Sequence, residues 1–116
     1  MEEIRESGQP IVVAIDRDLA DLIPKYLENR KNDLARLREL LGAGRQIETP
    51  ETLEEAGRIL HTMKGSGGSY GFHEITRLAR AMETFLSAKN FVELEKGLLG
   101  LESFLTHLRV EYVEET

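Results

Sequence analysis

The clearest helical pattern in the chain lies at residues 90–112, NFVELEKGLLGLESFLTHLRVEY. Its apolar residues follow one another at alternating steps of three and four, which places them on one face of a helix. They are Phe91, Leu94, Leu98, Leu101, Leu105, Leu108 and Tyr112. Asn90 is suited to cap this helix, and Glu93 completes a pattern similar to a capping box. The stretch therefore predicts a long amphipathic helix that packs against other helices.

Three segments upstream show the same periodicity. We call the row of positions expected to face the core the seam of a segment. The three seams are Ile23, Leu27, Arg30 (the one polar position), Leu34, Leu37 and Leu41; Leu53, Ala56, Leu60 and Met63; and Ile75, Leu78, Met82 and Phe85. Residues 42–44, GAG, are suited to end a helix, and Thr49 with Pro50 to begin the next. We therefore predict an all-α fold, an antiparallel up-down four-helix bundle. A long two-helix coiled coil is the main alternative, but the separate stop and start signals argue against it.

The N-terminal region is less regular. Asp16 or Asp18 is suited to cap a short extra N-terminal helix, and Pro24 either begins the first long helix or kinks it. We expect residues 1–15 to form an N-terminal extension and residues 16–116 to form the bundle. Because residues 11–15, IVVAI, favour a strand and the chain near Tyr112 alternates in strand fashion, a strand pair joining the termini stays open as an alternative.

The composition limits the classes of function. The chain has 116 residues, which fits one domain. With no cysteine it has no disulfide or thiolate chemistry. It has no apolar run of about 18 residues and no secretory signal, so we expect no membrane partner and a cytoplasmic location. The net charge of −6 argues against a nucleic-acid partner. We expect a monomer, and Met1 suggests a protein that stands alone.

The most informative stretch for function is residues 60–72, LHTMKGSGGSYGF. On a helix, His61 lies beside the core seam and faces outward, with Lys64 three residues further on. Gly57, Gly65 and Gly68 lie on the same face, one turn before His61 and one and two turns after it. A glycine inside a helix costs about 1 kcal/mol relative to alanine. We therefore predict that these glycines leave room for another protein to approach the imidazole.

An exposed imidazole can act as a nucleophile, because a neutral ring nitrogen carries a lone pair at cellular pH. Nε2 projects furthest from the helix and is the nitrogen that we expect to act as the nucleophile. Nδ1 would then carry the proton and need an acceptor, which the sequence does not identify. If the imidazole accepts a phosphoryl group, Lys64 would help to offset the charge of about −1.5 to −2 that this group brings.

The spacing of His61, Lys64, Gly65, Ser66 and Gly71 resembles the H-x-x-K-G-[ST]-x-x-x-x-G signature of histidine-containing phosphotransfer (HPt) domains. Residues 78–83, LARAME, are similar to the helix that follows in this family, and residues 22–30, LIPKYLENR, to the opening of one standalone subgroup. The resemblance covers roughly residues 16–108. One departure is the longer, polar connection from Gly42 to Pro50.

The resemblance implies that His61 is the phosphoacceptor and Lys64 its electrostatic support. Gly65 and Gly68 would give docking clearance, and Gly71 would help to turn the chain toward the next helix. The implied partner is a response-regulator receiver domain, a hybrid histidine kinase or both, with the receiver domain supplying the acceptor aspartate and the Mg²⁺. We expect this chain to be a phosphocarrier with no cofactor or metal of its own, and not a kinase, because it has no nucleotide-binding motif.

Other interpretations of the same residues stay open. His61 could be an ordinary surface histidine, in which case the chain is a helical adaptor with an idle histidine. Tyr70 is expected to pack with Phe72 against the next helix, or else to line the docking surface. We expect His73 and His107 to be solvated. The cations of the first helix form a basic outer face that is either solvated or complementary to the acidic rim of a receiver domain: Lys25, Arg30, Lys31, Arg36 and Arg38.

Overall fold

The computed structural model describes residues 9–41 and 49–114. Within these ranges the chain forms four α-helices, two strands and two 3-10 helices. In chain order they are β1 (Ile11–Asp16), a 3-10 helix (Arg17–Leu19), α1 (Ile23–Leu41), α2 (Pro50–Gly67), a 3-10 helix (Gly68–Tyr70), α3 (His73–Ser87), α4 (Phe91–His107) and β2 (Leu108–Val113). None of the helices described here has the length and apolar character that crossing a membrane requires. The predicted helix end at residues 42–44 and most of the connection to Pro50 lie outside the described residues.

The two predicted N-caps are present. The Thr49 hydroxyl accepts a hydrogen bond from the amide of Thr52 at 3.1 Å, and Pro50 is the first residue of α2. The Asn90 side chain accepts from the amide of Glu93 at 3.2 Å and begins α4. Each cap satisfies a backbone N–H that has no partner inside its helix. Since caps depend only on neighbouring residues, the sequence was sufficient to predict them.

The start of the chain differs from the prediction. The short extra N-terminal helix is only the 3-10 turn Arg17–Leu19, which Asp16 caps by accepting a hydrogen bond from the amide of Asp18 at 2.9 Å. Pro24 is the second residue of α1 and begins that helix without kinking it, because its missing N–H falls among groups that have no intrahelical partner.

The helices enclose one apolar core, in which α2 packs against α1 and α3, and α4 packs against α3 and α1. The buried side chains are Ile15; Ile23, Tyr26, Leu37 and Leu40; Ala56, Leu60 and Met63; Phe72; Ile75, Ala79, Met82 and Leu86; and Leu94, Leu98, Leu101, Phe104 and Leu105. In the predicted seam of α2, Ala56, Leu60 and Met63 are buried and Leu53 is partly buried. In α3 the buried face is shifted, so that Leu78 and Phe85 are only partly buried. Because α3 packs against both α2 and α4, the centre of its buried face lies between the rows of residues that face each neighbour. The heptad pattern marks only one such row.

The expectation of an all-α fold was wrong at the termini, where β1 and β2 form a two-stranded parallel sheet. Its register pairs Ile11 with Leu108 and Ile15 with Tyr112. The prediction that helix α4 continues through Tyr112 was therefore also wrong. Residues four apart lie on the same face of a strand, and Leu108 and Tyr112 are accordingly both half-buried on β2. The same spacing would place them on one face of a helix, which is why the sequence pattern predicted a helix. The strand pair joining the termini, which the sequence left open, is the arrangement in this structure.

Candidate functional site

His61 lies on the solvent-exposed edge of α2, beside α3. The preceding residue, Leu60, is fully buried, so His61 falls next to the core seam as predicted, and its side chain is 73% exposed. Its Nδ1 atom lies 3.1 Å from Oε2 of Glu83 on α3. Nε2 has no hydrogen-bond partner among the residues that the structure describes. Nε2, which the sequence analysis predicted as the nucleophile, is therefore accessible.

Lys64 lies nearly one turn further along α2 and contacts the same carboxylate. Its Nζ atom is 2.8 Å from Oε1 of Glu83, so the two carboxylate oxygens bind Lys64 and His61 separately. The main chain of Lys64 is held as well, because the hydroxyl of Thr76 donates a hydrogen bond to its carbonyl oxygen at 3.0 Å. Helix α3 thus contacts both the backbone and the ammonium group of Lys64.

The charge on Glu83 determines which nitrogen of His61 carries the proton. The hydrogen bond from Lys64 lowers the pKa of the Glu83 carboxyl most, the bond from His61 lowers it further, and burial acts in the opposite direction. An ionised carboxylate can only accept hydrogen bonds. Nδ1 must therefore be the donor, and in the neutral ring the lone pair is on Nε2.

Glu83 is the acceptor for the Nδ1 proton that the sequence analysis did not identify. It belongs to a different helix, and the partner of a residue across two helices depends on their register. One signal was present: His61 and Glu83 each lie eleven residues from Phe72, which stands in the turn between α2 and α3. In a helical hairpin, residues equally distant from the turn lie at the same level. A search for an acid at that distance would have found Glu83.

The three glycines around His61 have no internal steric reason to be glycine. A Cβ atom on Gly65 would have nothing within 4 Å, and one on Gly57 or Gly68 would make ordinary contacts at 3.7 Å with Leu86 or His73. Gly65 and Gly68 are exposed and Gly57 is half-buried. The open space beside His61 is therefore largest at Gly65, and the predicted docking clearance stays a prediction for all three.

Two further glycines meet the protein's own atoms. A Cβ on Gly67 would clash with the Thr76 hydroxyl and would lie 2.8 Å from the Thr76 amide nitrogen. Gly71 has φ +91°, in the left-handed region that favours glycine, and its Cβ would lie 2.8 Å from Cδ1 of Ile15. Gly67 thus allows α3 to approach α2 beside Lys64. Gly71 lies in the turn before α3, and its predicted part in partner docking stays a prediction.

The ring of Tyr70 packs against α1, a contact that the sequence analysis did not predict. Its ring stacks on Tyr26 with ring centroids 4.3 Å apart, and the Phe72 ring stacks on Tyr26 at 5.8 Å. Tyr70 remains partly exposed and lines a cavity of about 270 Å³ between α1 and the end of α2. The Tyr26 hydroxyl reaches the Ser66 hydroxyl at 3.1 Å, which joins α1 to the motif that contains His61.

The predicted basic outer face of α1 is largely neutralised within the protein. Arg30 points inward: it pairs with Asp33 at 2.9 Å, donates to the Ser66 hydroxyl and lies over the Tyr26 ring. Arg36 binds Glu39 and both carboxylate oxygens of Glu55, and Arg38 binds Glu95 and Glu102. Lys25 and Lys31 are exposed. The interpretation of this helix as one basic surface was therefore wrong, because periodicity does not show which acids of neighbouring helices meet these cations.

The two other histidines differ from each other. His73 is exposed, as expected, and lies at the start of α3 beside Gly68. His107 is partly buried, and its Nδ1 donates to the carbonyl oxygen of Ser103 at 2.8 Å. Among residues 9–41 and 49–114, no three or more histidine, cysteine, aspartate or glutamate side chains lie in a group that could hold a metal ion.

Comparison with known proteins identifies the family. The chain matches the family model described as "Hpt domain" over residues 21–111, which is well over half of its length. No curated protein and no solved structure matches it. Hpt domains perform histidine phosphotransfer in phosphorelay signalling, and they are phosphocarriers and not kinases. They interact with receiver domains of response regulators and with kinases. The chain belongs to the Hpt domain family.

Proposed function

We propose that this protein accepts a phosphoryl group on Nε2 of His61 and exchanges it with the aspartate of a response-regulator receiver domain. The observation that carries the proposal is the hydrogen bond between Nδ1 of His61 and the ionised Glu83. This bond holds the neutral imidazole in the tautomer whose lone pair is on the exposed nitrogen. An ordinary surface histidine has no need of such an arrangement.

The transfer step uses one electron pair of the imidazole. The Nε2 lone pair attacks the phosphorus of the partner's aspartyl phosphate, the N–P bond forms, and the P–O bond to the aspartate breaks and leaves a free carboxylate. Because Nδ1 keeps its proton, the phosphorylated ring is an imidazolium. The Glu83 carboxylate, 3.1 Å from Nδ1, offsets the positive charge that develops on the ring. The reverse reaction follows the same path.

Lys64 is proposed to act in two ways. Its contact with Glu83 at 2.8 Å supports a role in holding that carboxylate in position against His61. Its position on the His61 face of α2 also supports the role that the resemblance implies, that of a cation close to an incoming phosphoryl group. The Mg²⁺ that phosphoryl transfer from an aspartate needs is assigned to the partner receiver domain.

The proposal includes an up-down bundle that acts as a cytoplasmic monomer. Two contacts support antiparallel α1 and α2: Tyr26, near the start of α1, meets Ser66 near the end of α2, and Arg36, further along α1, meets Glu55 near the start of α2. In such a bundle the exposed side chain of His61, six residues before the end of α2, is open to a globular partner.

The experiment is phosphotransfer from a phosphorylated receiver domain encoded by the same genome, followed by intact mass at neutral pH. We expect the wild type to gain about 80 Da, the mass of one phosphoryl group, and to lose it in acid. His61→Gln should gain nothing, whereas the control His73→Gln, which removes a nearby exposed histidine, should behave as wild type.

Two results would contradict the proposal. One is phosphorylation of the folded His61→Gln protein to the wild-type extent, which would place the phosphoryl group elsewhere. The other is no phosphorylation of the folded wild type by any receiver domain of that genome or by phosphoramidate. The second result would favour the helical adaptor with an idle histidine.

A further inference from the structure

Most of the arginines that the structure describes in this acidic protein form ion pairs with carboxylates, and a few do not. The described residues contain eight arginines, and six of these have a carboxylate within 4.0 Å: Arg17, Arg30, Arg36, Arg38, Arg77 and Arg109. Within residues 9–41 and 49–114, Arg58 and Arg80 have no ion pair. Both are exposed; Arg58 lies three residues before His61 on α2, and Arg80 lies three residues before Glu83 on α3.

Arg58 lies three residues before His61 on α2, so the two side chains are neighbours on the helix surface, with about 5–6 Å between their Cβ atoms. The hydrogen bond from Arg36 lowers the pKa of the Glu55 carboxyl most and the charge of Arg58 contributes to the lowering, but no carboxylate of the described residues lies within 4.0 Å of the Arg58 guanidinium group. Glu55 is occupied by Arg36, which binds both carboxylate oxygens at 2.7 and 2.9 Å. Glu54, one turn before Arg58, is exposed and lies beyond ion-pair distance. The guanidinium group of Arg58 is therefore available to another molecule.

Arg80 occupies the matching position on α3, three residues before Glu83. The Glu83 carboxylate is occupied by His61 and Lys64, and Glu74, earlier on α3, is bound by Arg77 at 2.5 Å. Along α3, Arg80 falls between Thr76, which binds the Lys64 carbonyl, and Glu83. Arg80 therefore lies on the side of His61 toward the end of α2, and Arg58 lies on the side toward its start.

We infer that Arg58 and Arg80 form a docking pair for carboxylates on the surface of the protein that exchanges a phosphoryl group with His61. This inference rests on the proposed function. A partner that carries phosphate on an aspartate and binds Mg²⁺ through carboxylates is acidic around that site, so cations beside His61 complement it. Arginine is well suited to bind them, because its planar guanidinium group forms paired hydrogen bonds with a carboxylate.

The positions of the two arginines favour a protein surface over the phosphoryl group as their ligand. Arg80 lies eight residues after Phe72 and Lys64 lies eight residues before it, so the two are at the same level of the α2–α3 hairpin. Arg58 lies six residues before Lys64, and the two arginines are therefore about 9 Å apart along the helix axes, with His61 between them. A surface that meets both arginines would cover His61, whereas a phosphoryl group on the imidazole occupies only the space at Nε2. Since the remaining charge of the protein is negative, two local cations also orient an acidic partner toward His61 before contact is made.

The test compares Arg58→Gln, Arg80→Gln and the double variant with Lys31→Gln, which removes the same charge from an exposed position on α1. The receiver domain of the same genome that exchanges fastest with the wild type is used as the probe. We expect each arginine variant to lower the second-order rate constant of transfer about three- to tenfold at low salt, with the difference shrinking as salt is raised. We expect transfer at saturating receiver concentration, phosphorylation by phosphoramidate and the Lys31→Gln rate to be unchanged.

The controls separate the two proposals. If neither the receiver domain nor phosphoramidate phosphorylates the wild type, the proposed function fails. If the wild type exchanges phosphate normally and both arginine variants match Lys31→Gln at low salt, the docking pair is disproved and the proposed function stands. An equal loss with phosphoramidate and with the receiver domain would also disprove docking, because it would place the effect on the phosphoryl group itself.

Discussion

Glu83 binds the side chains of both His61 and Lys64 on α2, through separate oxygens. Oε2 accepts the Nδ1 proton of His61, and Oε1 lies 2.8 Å from the ammonium group of Lys64. One carboxylate thus sets the tautomer of His61 and holds Lys64 beside it. Its own charge is maintained chiefly by the hydrogen bond from Lys64, which lowers the pKa of the Glu83 carboxyl. The chemistry of His61 therefore depends on a residue of the neighbouring helix.

The first prediction concerns Glu83→Gln and pH. The pKa of Glu83 is lowered by folding from its ordinary value of 4.5, so its stabilising contribution is present above that value and is lost as pH falls through the folded-state pKa. We expect the variant to lose about 0.5–1 kcal/mol of unfolding free energy at pH 7, and this difference to shrink below pH 4.5. Urea unfolding at several pH values measures both quantities.

The control for this prediction is Glu54→Gln, which removes an exposed carboxylate of α2 that has no ion pair in the described structure. A Glu83→Gln difference that stays constant between neutral and strongly acidic pH would show that the carboxylate charge does not contribute to stability.

The second prediction compares two glycines of one helical turn. Gly67→Ala places a methyl group against Thr76, so we expect a loss of about 1–3 kcal/mol of unfolding free energy. Gly65→Ala meets open space and removes backbone entropy from the unfolded chain, so we expect a gain of up to about 1 kcal/mol. Thermal or denaturant unfolding distinguishes them. Equal effects of the two substitutions would contradict the close approach of α3 at Gly67.

At the scale of elements, the turn of α2 that carries Gly65 is the part of the site with the most room. A Cβ atom at Gly65 meets nothing within 4 Å, so a leucine there would project into the space beside His61. We expect Gly65→Leu to fold normally and to slow transfer from a receiver domain about tenfold or more, because a partner held at the wrong distance reacts slowly. Phosphorylation by phosphoramidate, which is small, should be nearly unchanged.

Ser103→Leu is the matched control, since it adds the same side chain to an exposed position of α4. Receiver transfer at the wild-type rate in a folded Gly65→Leu protein would contradict the clearance hypothesis, including the part assigned to Gly68.

The strand β1 is expected to stabilise the fold through one side chain. Ile15 is 1% exposed and packs against Gly71, in the turn between α2 and α3. We expect Ile15→Ala to lower the unfolding free energy by about 2–4 kcal/mol, the usual cost of a cavity in a core. Val12→Ala, on the exposed face of the same strand, should change it by less than about 0.5 kcal/mol. Equal effects in a denaturant titration would show that β1 does not share the core.

At the scale of the whole molecule, the features that could be predicted from the sequence are those set by local interactions. Asn90 and Thr49 were predicted as caps because a cap involves residues within one turn. The exposure of His61 followed from its place after Leu60 in the apolar seam. The strand pair was only an open alternative, because the half-buried residues of β2, such as Leu108, fit a helical and a strand pattern equally well.

The features that could not be predicted depend on how separate elements meet. Glu83 contacts His61 because of the register between α2 and α3, which no local pattern contains. Arg30 points inward because Tyr26 and Ser66 give it partners across the α1–α2 contact. Its interpretation as part of a basic surface failed for that reason.

The central claim is that His61 carries phosphate on Nε2 while Nδ1 keeps its proton. The most direct measurement is heteronuclear NMR of the protein labelled with ¹⁵N in its histidine rings, recorded after phosphorylation by phosphoramidate at neutral pH. We predict coupling of phosphorus to Nε2 of His61, a proton on Nδ1, and no such signal in His61→Gln. Phosphorus on Nδ1, or on another residue of the folded protein, would contradict the account.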